Sequence, residues 1–158
     1  MKAIFIAVGF FGINHCEMRK VNQYVEEGYL LMGAAFEVYN ELGYGLSEEL
    51  YQESLEHELH LRRIPYRANQ EIKAYYKGIE LRKYFIPDFV VFEGIIVELK
   101  SVKQLQPEHT AQLHNYLRLS RKPVGYLLNF GGKGAIEWKR YVLKHESPKK
   151  SDSEWTQN

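Results

Sequence analysis

The sequence predicts one α/β or α+β domain in which helices cover a mixed β-sheet, and three observations lead to this prediction. The chain has 158 residues, which is the length of a single domain. With 45% hydrophobic and 26% charged residues it lies in the globular range, which excludes wholesale disorder and a coiled-coil rod. The predicted elements follow the order helix, helix, three strands, helix, two strands. A helix between strands favours a mixed sheet.

The first two elements are helices separated by a glycine-rich turn. Apolar residues recur at helical spacing over residues 23–42, and the glycines of residues 43–45 end this helix. Ser47, followed by two glutamates, is a typical N-cap and begins a second helix over residues 48–63. Pro65 stops that helix, because a proline disfavours helical backbone in the residue before it.

Strand signals fill the middle of the chain. One strand is predicted over residues 66–76 and, after a turn at residues 77–78, a second over residues 79–92 with Pro87 as an irregularity. The short apolar segment of residues 95–100 is the third strand.

A helix and two further strands complete the domain. Pro107 is suited to the first turn of a helix, which is predicted to end near residue 120. Residues 124–130 and 135–143 are the two strands, parted by glycines.

The domain is bounded by two segments of different character. We predict an N-terminal extension over residues 1–18, a single domain over residues 19–144 and a polar tail over residues 145–158. The apolar residues 1–13 resemble a signal-peptide core, but no small-residue cleavage site follows them. A short additional strand, or a segment upstream of a start at Met18, is the preferred interpretation.

Composition also limits the compartment. No apolar run reaches the roughly 20 residues that a spanning helix needs, so no transmembrane helix is predicted. Cys16 is the single cysteine, which excludes a disulfide framework and agrees with a reducing cytoplasm. We therefore predict a cytoplasmic protein.

Charge is unevenly distributed, although the net charge is only +1. Residues 17–58 contain two Lys or Arg and ten acids, whereas residues 59–143 contain fifteen Lys or Arg and seven acids. A basic block of this kind indicates a polyanionic partner. A Lys-rich solvated face is the alternative that the composition leaves open.

Two ionisable residues interrupt the aliphatic segment of residues 95–100. Glu98 and Lys100 are two positions apart and therefore share one face of the predicted strand. Burying such charges is costly unless they meet a partner or a metal ion.

The turn before this segment predicts a second carboxylate beside Glu98. If the connecting loop has three residues, with Gly94 in the left-handed conformation, Val91 pairs with Ile95. That register puts Asp88 opposite Glu98, about 5 Å away on the same face. Two carboxylates so close repel each other unless a cation lies between them.

A divalent metal ion is the cation that this pair suggests. Mg²⁺ prefers a couple of carboxylates and fills its other positions with water and phosphate oxygen. The ammonium of Lys100 could then orient or deprotonate an attacking water, or stabilise developing charge. The alternative is a surface hairpin with a cross-strand ion pair.

Other candidate sites have plainer interpretations. His57, His60, His109 and His114 show no spacing that brings three of them together, so zinc is not predicted. The glycine-rich residues 131–134 lack the helix and the Ser or Thr of a P-loop and predict a hairpin turn.

Three further motifs stand along the chain in a fixed order. Residues 45–51 read GLSEELY, a GxxExxY pattern at the start of the second helix. Gln112 and Tyr116 lie four residues apart on one face of the later helix, inside the string QLHNYL. A strand then ends in the string NFG at residues 129–131.

Together with Asp88 and the Glu98-Leu99-Lys100 triplet, this order resembles the GxxExxY family, a branch of the PD-(D/E)XK nuclease superfamily. The resemblance covers about residues 29–143. It implies a restriction-endonuclease-like core, with a central four-stranded mixed sheet flanked by helices, here followed by a C-terminal strand. It also implies a metal-dependent phosphodiesterase centre with the motif arrangement of RecB-type enzymes.

The resemblance also implies roles for individual residues. Asp88, Glu98 and the backbone carbonyl of Leu99 would hold Mg²⁺ or Mn²⁺, and Glu48 would serve a second metal ion or an outer-shell water. Lys100 would position the attacking water.

The helix that carries QLHNYL would contact the substrate. Gln112 would orient Lys100 or the scissile phosphate, and Tyr116 would contact a nucleotide by stacking on an unpaired base. Arg118, Arg121 and Lys122 are expected to flank the cleft and bind nucleic acid through its phosphates.

The predicted function is therefore a metal-dependent nuclease acting on nucleic acid, with DNA favoured over RNA and single strands or ends favoured over intact duplex. The alternative is a non-catalytic nucleic-acid-binding or protein-interaction module on the same fold. No membrane partner is predicted, and a homodimer is left open.

The N-terminal extension yields a first testable prediction. We expect a shortened chain that begins at Met18 to fold, because none of the predicted elements of the domain precedes it. Thermal unfolding of the shortened and full chains, followed by circular dichroism, checks this expectation. Insolubility or a lost cooperative transition would show that residues 4–11 belong to the core.

Overall fold

The structure is a computed structural model that describes residues 24–143. The predictions for residues 1–18 and 145–158, and the start at Met18, lie outside the described residues. Within residues 24–143 no helix is long and apolar enough to cross a membrane.

Three helices form where the apolar spacing predicts them. Ser47 begins the second one as its N-cap, accepting a hydrogen bond from the backbone N–H of Leu50 at 3.4 Å. Pro107 occupies the first turn of the third. The helices are α1 (Val25–Leu42), α2 (Glu48–Leu61) and α3 (Pro107–Ser120).

Seven strands form two sheets. Five of them make a mixed sheet in the order β1-β4-β5-β6-β7, and β2 and β3 form a separate two-stranded ribbon. The strands are β1 (Tyr66–Ala68), β2 (Ile72–Tyr76), β3 (Ile79–Phe85), β4 (Phe89–Val91), β5 (Ile95–Lys100), β6 (Val124–Asn129) and β7 (Glu137–Val142).

The pairing confirms the predicted fold class. Strands β5 and β6 are parallel and are joined through α3, whereas the other neighbours in the sheet are antiparallel. Four strands flanked by helices, extended by β7 as the C-terminal strand, are the architecture expected of a restriction-endonuclease-like core.

Two of the predicted strands are wrong in extent. The strand expected over residues 66–76 breaks after β1, where Asn69 has a φ of 50° and donates its backbone N–H to the carbonyl of Asp88 at 3.1 Å. The strand expected over residues 79–92 breaks at Pro87, which has no N–H for a ladder. Their outer halves pair with each other as the ribbon instead of joining the sheet.

The sheet buries both of its faces. On one face, alternate residues of β5 such as Val97 and Leu99 pack with α1 and α2 in the larger core cluster. On the other face, Ile96 packs with Leu113 and Leu117 of α3. Side chains alternate along a strand, so the residue next to Val97 or Leu99 points toward the α3 side.

The hairpin between β4 and β5 has the predicted register but not the predicted turn. Val91 pairs with Ile95, as expected. The left-handed residues are Phe92 and Glu93, with φ of 50° and 60°, and Gly94 is not among them. The prediction that Gly94 adopts the left-handed conformation is therefore wrong.

Gly94 is required for space instead. A Cβ atom at this position would lie 2.1 Å from Cζ of Tyr24, which is far inside van der Waals contact. The ring of Tyr24 at the start of α1 therefore packs directly on the backbone of the turn, and a side chain at position 94 would require the ring to move.

The contact between Tyr24 and Gly94 predicts that a methyl group added at position 94 destabilises the protein. Gly94→Ala should lower the free energy of unfolding by about 1–3 kcal/mol, because overpacking forces the ring or the turn to move. Urea unfolding measures the loss, and the double variant Gly94→Ala with Tyr24→Ala serves as the matched control. If the double variant recovers none of the stability that the glycine substitution removes, the steric explanation is incorrect.

Candidate active site

The candidate site lies at the carboxyl end of β5, on the face of the sheet that α3 covers. Glu98 is only 2% exposed, although the other buried residues of this strand are aliphatic. The ammonium Nζ of Lys100 lies 3.8 Å from Oε2 of Glu98. The two side chains thus share one face, as their spacing predicts.

Asp88 joins this pair from the neighbouring strand. The register of β4 and β5 pairs Phe89 with Val97, so one further step puts Asp88 opposite Glu98. Oδ2 of Asp88 accepts a hydrogen bond from the backbone N–H of Leu99 at 2.6 Å. The hairpin register that the sequence predicts therefore does bring the two carboxylates together.

Glu48 reaches the same cluster from the first turn of α2. Its Oε1 accepts a hydrogen bond from Nζ of Lys100 at 3.4 Å. The ammonium of Lys100 therefore lies within reach of two carboxylates, Glu48 and Glu98, that come from different layers of the fold. Glu48, Asp88, Glu98 and Lys100 are called the carboxylate cluster below.

The tyrosine of the GxxExxY pattern holds the loop that presents Glu48. The hydroxyl of buried Tyr51 donates to the carbonyl of Gly43 at 2.8 Å and accepts from the backbone N–H of Leu46 at 3.2 Å. Its ring stacks on Phe130 at 4.6 Å. Gly45 supplies the φ of 86° that the turn requires, since side chains rarely adopt it.

Ser101 and Asn129 complete this support; the sequence singled out the string NFG that begins with Asn129 but assigned neither residue a role. Ser101, directly after Lys100, donates its hydroxyl to the carbonyl of Leu46. Fully buried Asn129 accepts from the backbone N–H groups of Val102 and Gly131 at 3.0 and 3.1 Å. A polar residue that ends an apolar strand, as Asn129 does, is the sequence signal of this role.

Burial and like charge control the protonation of the carboxylates. Burial, followed by the nearby charge of Asp88, raises the pKa of Glu98 from 4.5 to about 8. Burial also raises the pKa of Asp88, against the opposing effects of the Leu99 N–H and the Lys100 charge. Oε1 of Glu98 is buried and has no hydrogen-bond partner among the described residues.

These donors fit a hard divalent cation. Among residues 24–143 no three His, Cys, Asp or Glu side chains converge as a preassembled metal site. Mg²⁺, however, is usually bound through one or two carboxylates and keeps several waters, so Asp88 and Glu98 supply enough protein ligands. The partnerless Oε1 of Glu98 is the atom that a cation would satisfy.

Gln112 and Tyr116 form their own cluster on α3. The amide of Gln112 donates to the hydroxyl of Tyr116 at 3.0 Å. Its expected role, orienting Lys100 or the scissile phosphate, stays a prediction. The ring of Tyr116 stacks on Phe85 at 4.7 Å with an interplanar angle of 22°. One ring face is therefore already covered, which restricts the expected stacking on a base.

Lys122, which follows α3, contacts the turn that precedes β5. Lys122 donates its ammonium to the carbonyl of Glu93, just before β5 begins, whereas Lys100 ends that strand. Three residue steps of β5 lead from Ile95 to Glu98, which is roughly 10 Å. Lys122 therefore lies toward the beginning of the parallel pair, to which α3 returns the chain. That Arg118, Arg121 and Lys122 flank the cleft stays a prediction.

The raised pKa of Glu98 predicts a pH dependence of stability. Between pH 4.5 and about 8 the folded protein holds a proton that the unfolded chain releases, so the free energy of unfolding falls as pH rises. The fall is at most about 1.4 kcal/mol per pH unit. The variant Glu98→Gln cannot ionise at this position, so its free energy of unfolding should not fall in this way. It should therefore be more stable than the wild type at pH 8 in EDTA.

Urea unfolding across this pH range measures the effect. Glu53→Gln, at an exposed position of α2, is the matched control and should keep the wild-type pH dependence. Equal pH dependence of the wild type and Glu98→Gln would contradict the assignment.

Comparison with known proteins agrees with this arrangement. The chain matches a family model described as PD-(D/E)XK nuclease superfamily over residues 25–141. No curated protein matches it. A solved structure described as "Crystal structure of SSO0001" is 18% identical with a TM-score of 0.48 and covers 78% of this chain, which spans 61% of that one. Because the family match runs from α1 into β7, the chain belongs to the PD-(D/E)XK nuclease superfamily.

Proposed function

We propose that the protein is a divalent-metal-dependent nuclease of the GxxExxY branch, which hydrolyses phosphodiester bonds of DNA. The observation that carries the proposal is the pair formed by buried Glu98 of β5 and half-buried Asp88, just before β4, with the partnerless Oε1 of Glu98 in the same cluster as the ammonium of Lys100. Members of this superfamily are usually nucleases and typically use Mg²⁺ or Mn²⁺, which supports the choice of reaction.

Asp88, Glu98 and the carbonyl of Leu99 would hold the metal ion, with Glu48 available to a second ion or to a bound water. When bound, the cation would polarise a phosphoryl oxygen and lower the pKa of a water molecule. The protein's own contribution is to keep these oxygen donors together on a rigid strand. The Leu99 N–H holds the carboxylate of Asp88 in place through a 2.6 Å hydrogen bond.

Lys100 would act on the attacking water or on the phosphate. Its ammonium carries three donors, and two of its neighbours are carboxylates at 3.4 and 3.8 Å. A carboxylate that coordinates a metal ion holds the ammonium less strongly, which would release Lys100 toward the substrate. On α3, the hydroxyl of Tyr116 accepts from Gln112 and keeps its own hydrogen for a phosphate oxygen.

The burial of Glu98 below the protein surface supports a preference for single strands or duplex ends. Glu98 is only 2% exposed, so the scissile phosphate has to reach inward to approach it. Duplex DNA is stiff, with a persistence length of about 50 nm, and presents an internal phosphate less readily than a flexible strand does.

Removal of either carboxylate tests the proposal. Asp88→Ala and Glu98→Ala should each fold and lose Mn²⁺-dependent cleavage of labelled single-stranded DNA. The loss should exceed the about 10–100-fold typical of residues that only support a metal ligand. Gel assays of single-stranded, linear duplex and closed circular DNA measure it, with Glu53→Ala as the matched control.

A thermal shift with Mn²⁺ accompanies the assay, because a ligand that binds only the folded state raises its stability. Wild-type cleavage rates in either carboxylate variant would refute the proposed site. Absence of both a metal-induced shift and cleavage in the wild type would favour the non-catalytic binding module.

A further inference from the structure

A groove of about 900 Å³ lies between the ribbon and the last residues of α3. We call it the ribbon groove. At one end, Lys122 contacts the carbonyl of Glu93 beside the beginning of β5. At the other end, Gln70 and Glu71 follow Asn69, whose N–H donates to the backbone carbonyl of Asp88. The charged and aromatic lining of the groove includes Lys73, Tyr75, Lys77, Arg118, Arg121 and Lys122.

The ribbon groove is strongly positive. Its lining contains five Lys or Arg side chains and a single carboxylate, Glu71. One of the five, Lys73, is paired with Glu80 of β3 at 2.6 Å. Even after that pair is set aside, an excess of cations remains in a space open to solvent.

Within residues 24–143, two of the other cations have uncharged groups as their contacts. Lys77 lies 5.5 Å from the centre of the Tyr76 ring, and Lys122 donates to a backbone carbonyl. Neutral partners leave the full positive charge available, so these side chains can attract a polyanion.

Stabilisation of the α3 dipole explains only some of the cations in the ribbon groove. Cations near the carboxyl end of a helix stabilise its dipole, which is a sufficient reason for Arg118 and Lys122. Lys73 and Lys77, however, come from the ribbon, which has no helix end of its own. Two separate elements thus direct positive charge into one groove.

Exposed aromatic side chains accompany this charge. Tyr75 lines the groove and is 57% exposed, and its ribbon neighbours Tyr76 and Tyr84 are 63% and 52% exposed. Cations that follow a backbone, together with aromatic rings that stack on unpaired bases, form the surface that binds single strands. An acidic protein segment would use the cations but would gain nothing from stacking.

We propose that the ribbon groove binds a single-stranded nucleic acid whose chain continues to the carboxylate cluster. The inference rests on the proposed nuclease function and adds a second anchoring site to it. The two sites are linked by β5, in which roughly 10 Å of strand separates Ile95 from Glu98. A strand longer than this engages both sites.

Binding in EDTA tests the inference without cleavage. Fluorescence anisotropy of a labelled oligothymidine of about 20 nucleotides, which exceeds that span, is measured with the full chain at several salt concentrations. The variant Lys77→Gln with Arg121→Gln should bind about tenfold more weakly and lower the salt slope by about 1.4, the value for two single-strand phosphate contacts.

Arg63→Gln with Lys139→Gln is the matched control. It removes the same charge from exposed positions outside the groove, and Arg63 shares the positive φ of Lys77. We expect it to change the affinity by no more than about twofold. Thermal unfolding of each variant confirms that the fold is retained.

A second measurement concerns stacking. Tyr75→Ala should weaken single-strand binding by about tenfold and spare duplex of equal length, whereas Tyr75→Phe should retain affinity. Equal losses in the groove and control variants, displacement of the strand by polyglutamate at equal charge, or an unchanged affinity of Tyr75→Ala would each overturn the inference.

These outcomes are separate from those for the nuclease. If the wild type cleaves DNA but the groove variants bind as tightly as the control variant, the ribbon-groove proposal alone is refuted. Groove-dependent binding without cleavage in Mn²⁺ would refute the nuclease alone.

Discussion

The burial of Glu98 in an aliphatic strand is the constraint on which the site depends. A carboxylate that is 2% exposed beside a second carboxylate is stable only if it keeps a proton, meets a cation, or both. The protein supplies one cation, Lys100, at 3.8 Å and leaves Oε1 of Glu98 without a partner. The strain of this arrangement is the property that suits it to bind a metal ion.

Hydrogen bonds between two side chains and the backbone hold the surrounding loops and keep this arrangement in place. Tyr51 ties the loop before α2 and thereby sets the position of Glu48, while Asn129 ties the loop that follows Lys100. Both side chains are fully buried. Their role is to orient the chain around the carboxylate cluster, and the tyrosine of the GxxExxY pattern is accordingly a positioning residue.

The carboxylate cluster and the ribbon groove differ in how exposed they are. The carboxylate cluster lies where β5 ends, between the packed layers, whereas the ribbon groove is lined by β2, its turn and the end of α3 and is open to solvent. Helix α3 runs along the sheet between them and carries Gln112 and Tyr116 at its middle. A polyanion that follows this helix would meet both regions.

The sequence by itself determined the helices, the core strands and the Asp88–Glu98 pairing, because these follow from local periodicity and from the register of one hairpin. Only the tertiary structure decided the split of the two long strands, the space that Tyr24 takes at Gly94 and the location of Lys122. Those features depend on which distant segment packs against each residue. Strand propensity does not distinguish a strand of the main sheet from a strand of the ribbon. The sequence around a surface lysine likewise does not show which distant segment the lysine contacts.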